Sequence, residues 1–333
     1  MSRAVDAARR WLPGLGLLVA IALVAQLAAA PVRGLSPLLL AVAIGAVGVN
    51  LVGVPGWARP GADAHALLLE VGIVLLGARL ALDELAAVGP RLLVLAVATV
   101  AAGLAVVEVL SRLSPSIDPT AGSLLAAGAG VCGVSAAAAV ARSIDADESE
   151  LAYAAGTVVL FDAITLVAFP AIGALLALPE RTLGVWAGLA MFSTGPATAV
   201  GFAAGPTAGE FATLAKLARN SLIGVVAAAY AVAYGRSGAG SAGVGRTVIG
   251  ALPRFLVGFV LVMAIANLGW LSPAALARVD LVADWAFLLA FAGLGLSLRL
   301  APLRETGLAP VAVVGASLAS VGTLALLAAM AWF

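Results

Sequence analysis

Apolar runs long enough to cross a lipid bilayer recur along almost all of this 333-residue chain. A run of about 18 or more apolar residues reads as a membrane helix, because lipid offers no partner for backbone N–H and C=O groups. Eleven spans can be drawn, at roughly 11–30, 36–54, 64–82, 90–110, 120–142, 149–177, 183–204, 208–233, 249–269, 281–298 and 308–332. Only 11% of the residues are charged, against about 25% in a soluble domain, too few to cover a wetted surface. The expected fold is all-α and polytopic, with about 10–11 transmembrane helices and no soluble domain. It reads as one integral membrane domain over 1–333, with an extra N-terminal helix over about 1–35 and two halves at 36–178 and 183–333.

The net charge of +1, without a basic cluster, argues against a nucleic-acid partner. A single cysteine, Cys132, excludes an intramolecular disulfide and a multi-cysteine metal site. A single histidine, His65, weakens any reading built on a Ser–His pair or a histidine-ligated metal, and no cofactor is expected. Arg3, Arg9 and Arg10 precede the first apolar run, which lacks a cleavage signature and reads as a retained helix. Eleven arginines fall on one side of the eleven-span topology, Arg112 and Arg181 among them, and five on the other, including Arg142. That bias predicts a multi-pass protein of the cell membrane with the N-terminus cytoplasmic and the C-terminus outside.

Several spans are interrupted. The fifth carries Gly128, Gly130, Cys132, Gly133 and Ser135 in its middle. Glycine costs about 1 kcal/mol against alanine inside a helix, so this run favours unwinding. Unwound backbone at membrane depth survives where it lines a cavity, and there its amides and carbonyls become ligands. The plainer reading is close helix packing by small residues. The seventh span repeats the theme at Ser193, Thr194, Pro196 and Thr198, with a break expected near the proline and the three hydroxyls pointing into the protein. A third candidate break is Gly293, Gly295 and Ser297 in the tenth span.

Charges at membrane depth are costly and mark function by default. Asp162 lies mid-way along the sixth span. Lys216 and Arg219 sit three residues apart on one face of the eighth, beside Asn220. They read either as a structural ion pair with Asp162, or as a cation freed for an anion with Asp162 taking up a proton. Glu70 and Glu108 are further intramembrane acids, His65 reads as interfacial, and Asp145–Glu150 as a solvated loop and cap for the sixth span. The pattern Gly77-x-x-Leu80-x-Leu82-x-x-Leu85-x-x-x-Gly89 recurs 218 residues on as Gly295 to Gly307. The copies lie seven spans apart and so in opposite orientation, the mark of an inverted repeat.

Taken together, Cys132-Gly133, Thr157–Phe161 with Phe169-Pro170, Trp186-Ala-Gly188, Lys216-x-x-Arg219 and Ala292–Leu296 resemble a family of bacterial and archaeal membrane proteins named for sulfate export. More distantly, Leu76–Leu80 followed by the broken fifth span is similar to the bile-acid/sodium symporter and cation–proton antiporter superfamily. The resemblance implies inverted repeats with two discontinuous crossing helices. The chain departs from the first family at Phe192, Ser193 and Pro196, where members commonly carry a His-acidic-x-x-Gln pattern, and at Asp162, often Asn or Gly there.

The leading expectation is a secondary transporter or exporter of a small anionic solute, working by alternating access. Coupling to H⁺ or Na⁺ and assembly as a homodimer stay open. Half-helix N-termini with Lys216 and Arg219 are expected to attract the anion, and Asp162 to serve the coupling ion. No ATP-binding loop is present. A passive channel, a structural subunit and, least favoured, an intramembrane enzyme are the alternatives. Whether the partner of the broken fifth span is the seventh or the tenth also stays open.

Overall fold

The computed structural model describes residues 2–32, 35–235, 253–299 and 307–333, with side chains from residue 10 onward. The Gly/Ser-rich stretch beyond Gly235, Leu300 and Leu303 of the second repeat copy, Arg33, Arg236, Arg246, Arg304 and the side chains of Arg3 and Arg9 lie outside the described residues. The helices are α1 (Ser2–Ala29), α2 (Pro37–Leu51), the single turn α3 (Arg59–Ala62), α4 (His65–Leu76), α5 (Leu82–Leu113), α6 (Pro119–Ala127), α7 (Val134–Ile144) and α8 (Glu148–Leu175). They continue with α9 (Glu180–Ala190), α10 (Thr194–Ala204), α11 (Pro206–Asn220), α12 (Ile223–Ala233), α13 (Arg254–Asn267), α14 (Pro273–Ser297) and α15 (Leu308–Trp332). Among the described residues there is no strand, and seven helical stretches are long and apolar enough to cross a membrane. The chain is an all-α polytopic membrane protein.

It folds as two compact units, Met1–Ala87 with Arg254–Ala301, and Val88–Pro253 with Pro302–Phe333. The first is held by close helix contacts of the kind that small residues allow in lipid. Gly45 of α2 faces the backbone of Ala292 and Gly295 on α14, and Gly72 of α4 faces the Phe287 ring. The Arg79 guanidinium, past the end of α4, donates to Asp280 at 2.8 Å and Asp284 at 2.6 Å.

This packing corrects the expected break in the tenth span. α14 runs unbroken through Gly293 and Gly295 to Ser297. Gly293 makes room for the side chain of His65, and Gly295 for the backbone of α2. The cost of these glycines is offset by helix contact, so unwinding gains nothing there. The Ser297 hydroxyl turns back to the Leu294 carbonyl at 2.7 Å. His65 is half-buried, its Nδ1 3.1 Å from the Ala62 carbonyl.

Two matching contacts fall at equivalent positions of the sequence pattern in this unit. Asn267, closing α13, donates from Nδ2 to the Leu80 carbonyl at 2.8 Å, and Asn50, near the end of α2, donates to the Leu298 carbonyl at 2.7 Å. Leu80 and Leu298 are equivalent positions of the repeat. At each of the two positions a neighbouring helix lends an Asn amide to a carbonyl left free where a helix ends, which is where orphan carbonyls need donors.

The second unit contains two helical hairpins. At the base of the α9–α10 pair, the Glu180 carboxylate accepts from the Ala208 N–H at 3.4 Å and lies against Gly205, just past the end of α10. Gly184 near the start of α9 and Gly201 near the end of α10 both face Ala208. Both ends of the pair are therefore on one side, and the chain reverses at Met191–Ser193. The α6–α7 pair reverses likewise at Gly128–Gly133, where Gly128 faces Ala137 nine residues later. Asp118, the residue before α6, lies within electrostatic reach of Tyr153 in α8, while α7 ends only four residues before α8 begins. The expected breaks in the fifth and seventh spans are thus present, and at each one the second half folds back instead of running on.

The hairpins point in opposite directions. α8 runs from the base of the first to the base of the second, with Phe161 against Phe192 midway, and Phe169 stacked on Trp186 further down. A capping box of Asp147 and Glu150 starts α8, as the acidic run foretold. Each hairpin is followed by a long helix, α8 after the first and α11–α12 after the second. The partner of the fifth span is accordingly the seventh.

Candidate functional site

The first tip is a single π-helical turn, Gly128–Cys132, closed by the Gly133 N–H donating to the Gly128 carbonyl at 2.8 Å. Gly133 then takes φ 72° and ψ −144°, a conformation effectively reserved for glycine. Its bare Cα packs against the Ser193 side chain at the second tip, so the residues preceding α7 and α10 touch. Pro196 falls in the first turn of α10, where a missing N–H costs nothing. The break consequently lies ahead of the proline, at Met191–Ser193, and not at Pro196.

Two reversals at membrane depth leave two helix C-termini and two helix N-termini to satisfy. The C-termini are closed by α11. Lys216, wholly buried, donates to the carbonyls of Val131 (3.2 Å), Met191 (2.8 Å) and Phe192. Arg219, 2% exposed, donates to Ala129 (3.1 Å) and Gly130 (2.8 Å) on the first tip. It also donates to Gly188 (3.5 Å), Leu189 (2.6 Å) and Met191 (2.8 Å) on the second. Both cations thus sit where the dipoles of α6 and α9 are negative. Neither forms an ion pair with Asp162; the Lys216 ammonium is taken up by three carbonyls, while the buried Arg219 Nε has no partner.

The N-terminal side is built differently. Asp162, 4% exposed, accepts from the Ser193 N–H at 3.0 Å and so meets the positive end of α10. The Cys132 thiol lies in hydrogen-bond reach of the Ala136 N–H and the Ser135 hydroxyl. Among the described residues the N–H groups of Val134, Ser135, Thr194 and Gly195 have no acceptor. Val134 and Ser135 are exposed, and Ser193, Thr194 and Gly195 are half-buried, so this face is open. Asn220, 4% exposed, donates from Nδ2 to the Thr194 hydroxyl at 3.0 Å while its Oδ1 has no partner. One turn along α10, the buried Thr198 hydroxyl is also unpartnered.

Twelve of the residues expected at the site come together here: Gly128, Gly130, Cys132, Gly133, Ser135, Asp162, Ser193, Thr194, Pro196, Lys216, Arg219 and Asn220. Gly293, Gly295 and Ser297 belong to the other unit. The individual carbonyls of Leu189, Met191 and Phe192 carry no side-chain signal in the sequence, whereas the Thr198 hydroxyl was legible beside the proline. Glu108 bonds Ser123 (2.7 Å), Tyr230 (2.7 Å) and Arg112 (3.0 Å), tying α5, α6 and α12 together away from the tips.

Opposed helical hairpins whose polar tips meet, among helices long and apolar enough to cross a membrane, define a multi-pass membrane protein. The chain belongs to the family described as Conserved hypothetical protein 698, whose model matches residues 13–314. It is similar to a UPF0324 membrane protein of Nitratidesulfovibrio vulgaris, 31% identical over 89% of this chain and 86% of that one. It is also similar to the UPF0324 membrane protein TauZ of Paracoccus denitrificans, 32% identical over 74% and 73%. A UPF0324 membrane protein of Bacillus cereus is 30% identical over 88% and 87%. No solved structure matches the chain.

Proposed function

We propose that this protein is a secondary transporter of a small anionic solute in the cell membrane, with its N-terminus cytoplasmic and its C-terminus outside. One observation carries the reading: two oppositely directed hairpins present their helix N-termini to a shared open face, while their C-termini are sealed by buried cations. Free N–H groups at a helix N-terminus favour an anion, and discontinuous helices meeting at mid-depth are how many carriers hold one. The similarity to the bile-acid/sodium symporter superfamily supports the same class. In this reading Ser135, Ser193, Thr194 and the tip amides hold the solute, and Asp162 carries the coupling charge as a bound H⁺ or Na⁺.

Counterflow in proteoliposomes tests it. Vesicles loaded with unlabelled oxyanion should take up labelled oxyanion, and Thr194→Val with Ser135→Ala should lower that uptake at least about tenfold through lost hydrogen bonds to charge. Conductance without saturation would favour the passive channel instead, and exchange unaffected by both substitutions would remove the tip site from the proposal.

A further inference from the structure

The charges that converge on the hairpin tips set how much negative charge the site can accept. Each helix end carries about half an elementary charge, positive at the N-terminus and negative at the C-terminus. The N-termini of α7 and α10 and the C-termini of α6 and α9 meet within this one cluster, so their contributions cancel in pairs. Lys216 uses three donors on three carbonyls, which requires the ammonium form, and Arg219 is always cationic. Asp162 offsets one of these two cations. About one positive charge is left uncompensated, on buried groups that no solvent counter-ion reaches.

We infer that the site takes a singly charged oxyanion, such as a sulfonate or a carboxylate, and takes a dianion such as sulfate only together with a proton on Asp162. The inference rests on the transport reading and narrows its substrate class. A second feature points to a ligand at the same place. The Asn220 amide, buried and touching Thr194 at the start of α10, has one end unpartnered. Its nitrogen and oxygen are interchangeable by a flip that lets Oδ1 accept the Thr194 hydroxyl hydrogen and puts an N–H donor at the unpartnered position.

Calorimetric titration of the full-length protein in detergent, near neutral pH, tests this with methanesulfonate, formate and sulfate. Running it in two buffers of different ionisation enthalpy also counts protons. Methanesulfonate or formate should bind without proton uptake. Sulfate should bind at least about tenfold more weakly, since an unmatched charge at depth is costly, or should take up one proton per ion. Asp162→Asn, which keeps an acceptor for the Ser193 N–H, should shift the preference toward sulfate by at least about tenfold. Sulfate binding as tightly as the monoanions without a proton overturns the charge inference and leaves an anion carrier standing. An unchanged preference in folded Asp162→Asn overturns it too. Binding of none of the three overturns the anion reading itself.

Discussion

Lys216 and Arg219 illustrate how a buried cation at membrane depth is kept. Hydrogen bonds to a charged group each contribute about 1.5–3 kcal/mol net, and together these two side chains make eight. Truncating either one strands several buried carbonyls. Arg219→Leu or Lys216→Met is accordingly expected to destabilise the fold by about 3–5 kcal/mol, the range for breaking a buried charged network. A thiol-reactive dye that reports exposure of the buried Cys132 reads this directly as a lowered melting temperature. Wild-type melting in both variants would mean the carbonyls find other donors. The residue types and spacing of the pair were legible in the sequence. Their task was not, because a backbone carbonyl has no letter of its own.

At the scale of the element, the first tip turns on Gly133. Its φ of 72° is accessible to other residues only with strain, and a Cβ there would run into Ser193. Gly133→Ala should cost about 1–3 kcal/mol from backbone strain, plus the steric contact. Adding Ser193→Gly should recover the steric part alone, so the double variant melts between the single variant and the wild type. Full recovery would assign the cost to crowding, with no backbone strain. The glycines marked this break correctly because they must satisfy a conformation as well as a contact. In α14 a similar glycine pair satisfies only contacts, and composition alone does not separate the two cases. The reversal of each hairpin was hidden for a related reason. Half-helices of nine to eleven residues on both sides of a short break look like one interrupted span of membrane length.

At the scale of the whole molecule, replacing two crossings by two hairpins changes the number of crossings by two. The termini are still expected on opposite sides. Arg142 and Arg181 exchange sides, which leaves the arginine bias that orients the chain unaltered. Single-cysteine labelling on a Cys132→Ser background checks the topology. Asp118→Cys and Asp145→Cys, at the two ends of the first hairpin, should react with an impermeant maleimide from one side. Ala177→Cys and Ala204→Cys, flanking the second, should react from the other. Labelling of Asp118→Cys and Asp145→Cys from opposite sides would restore a spanning fifth helix.

The two tips are also fastened to each other. Arg219 grips carbonyls of both at once, and Lys216 does the same from one turn away. Two doors riveted to a common post do not swing separately. In any motion of this unit, the hairpins and α11 are bound to travel as one piece.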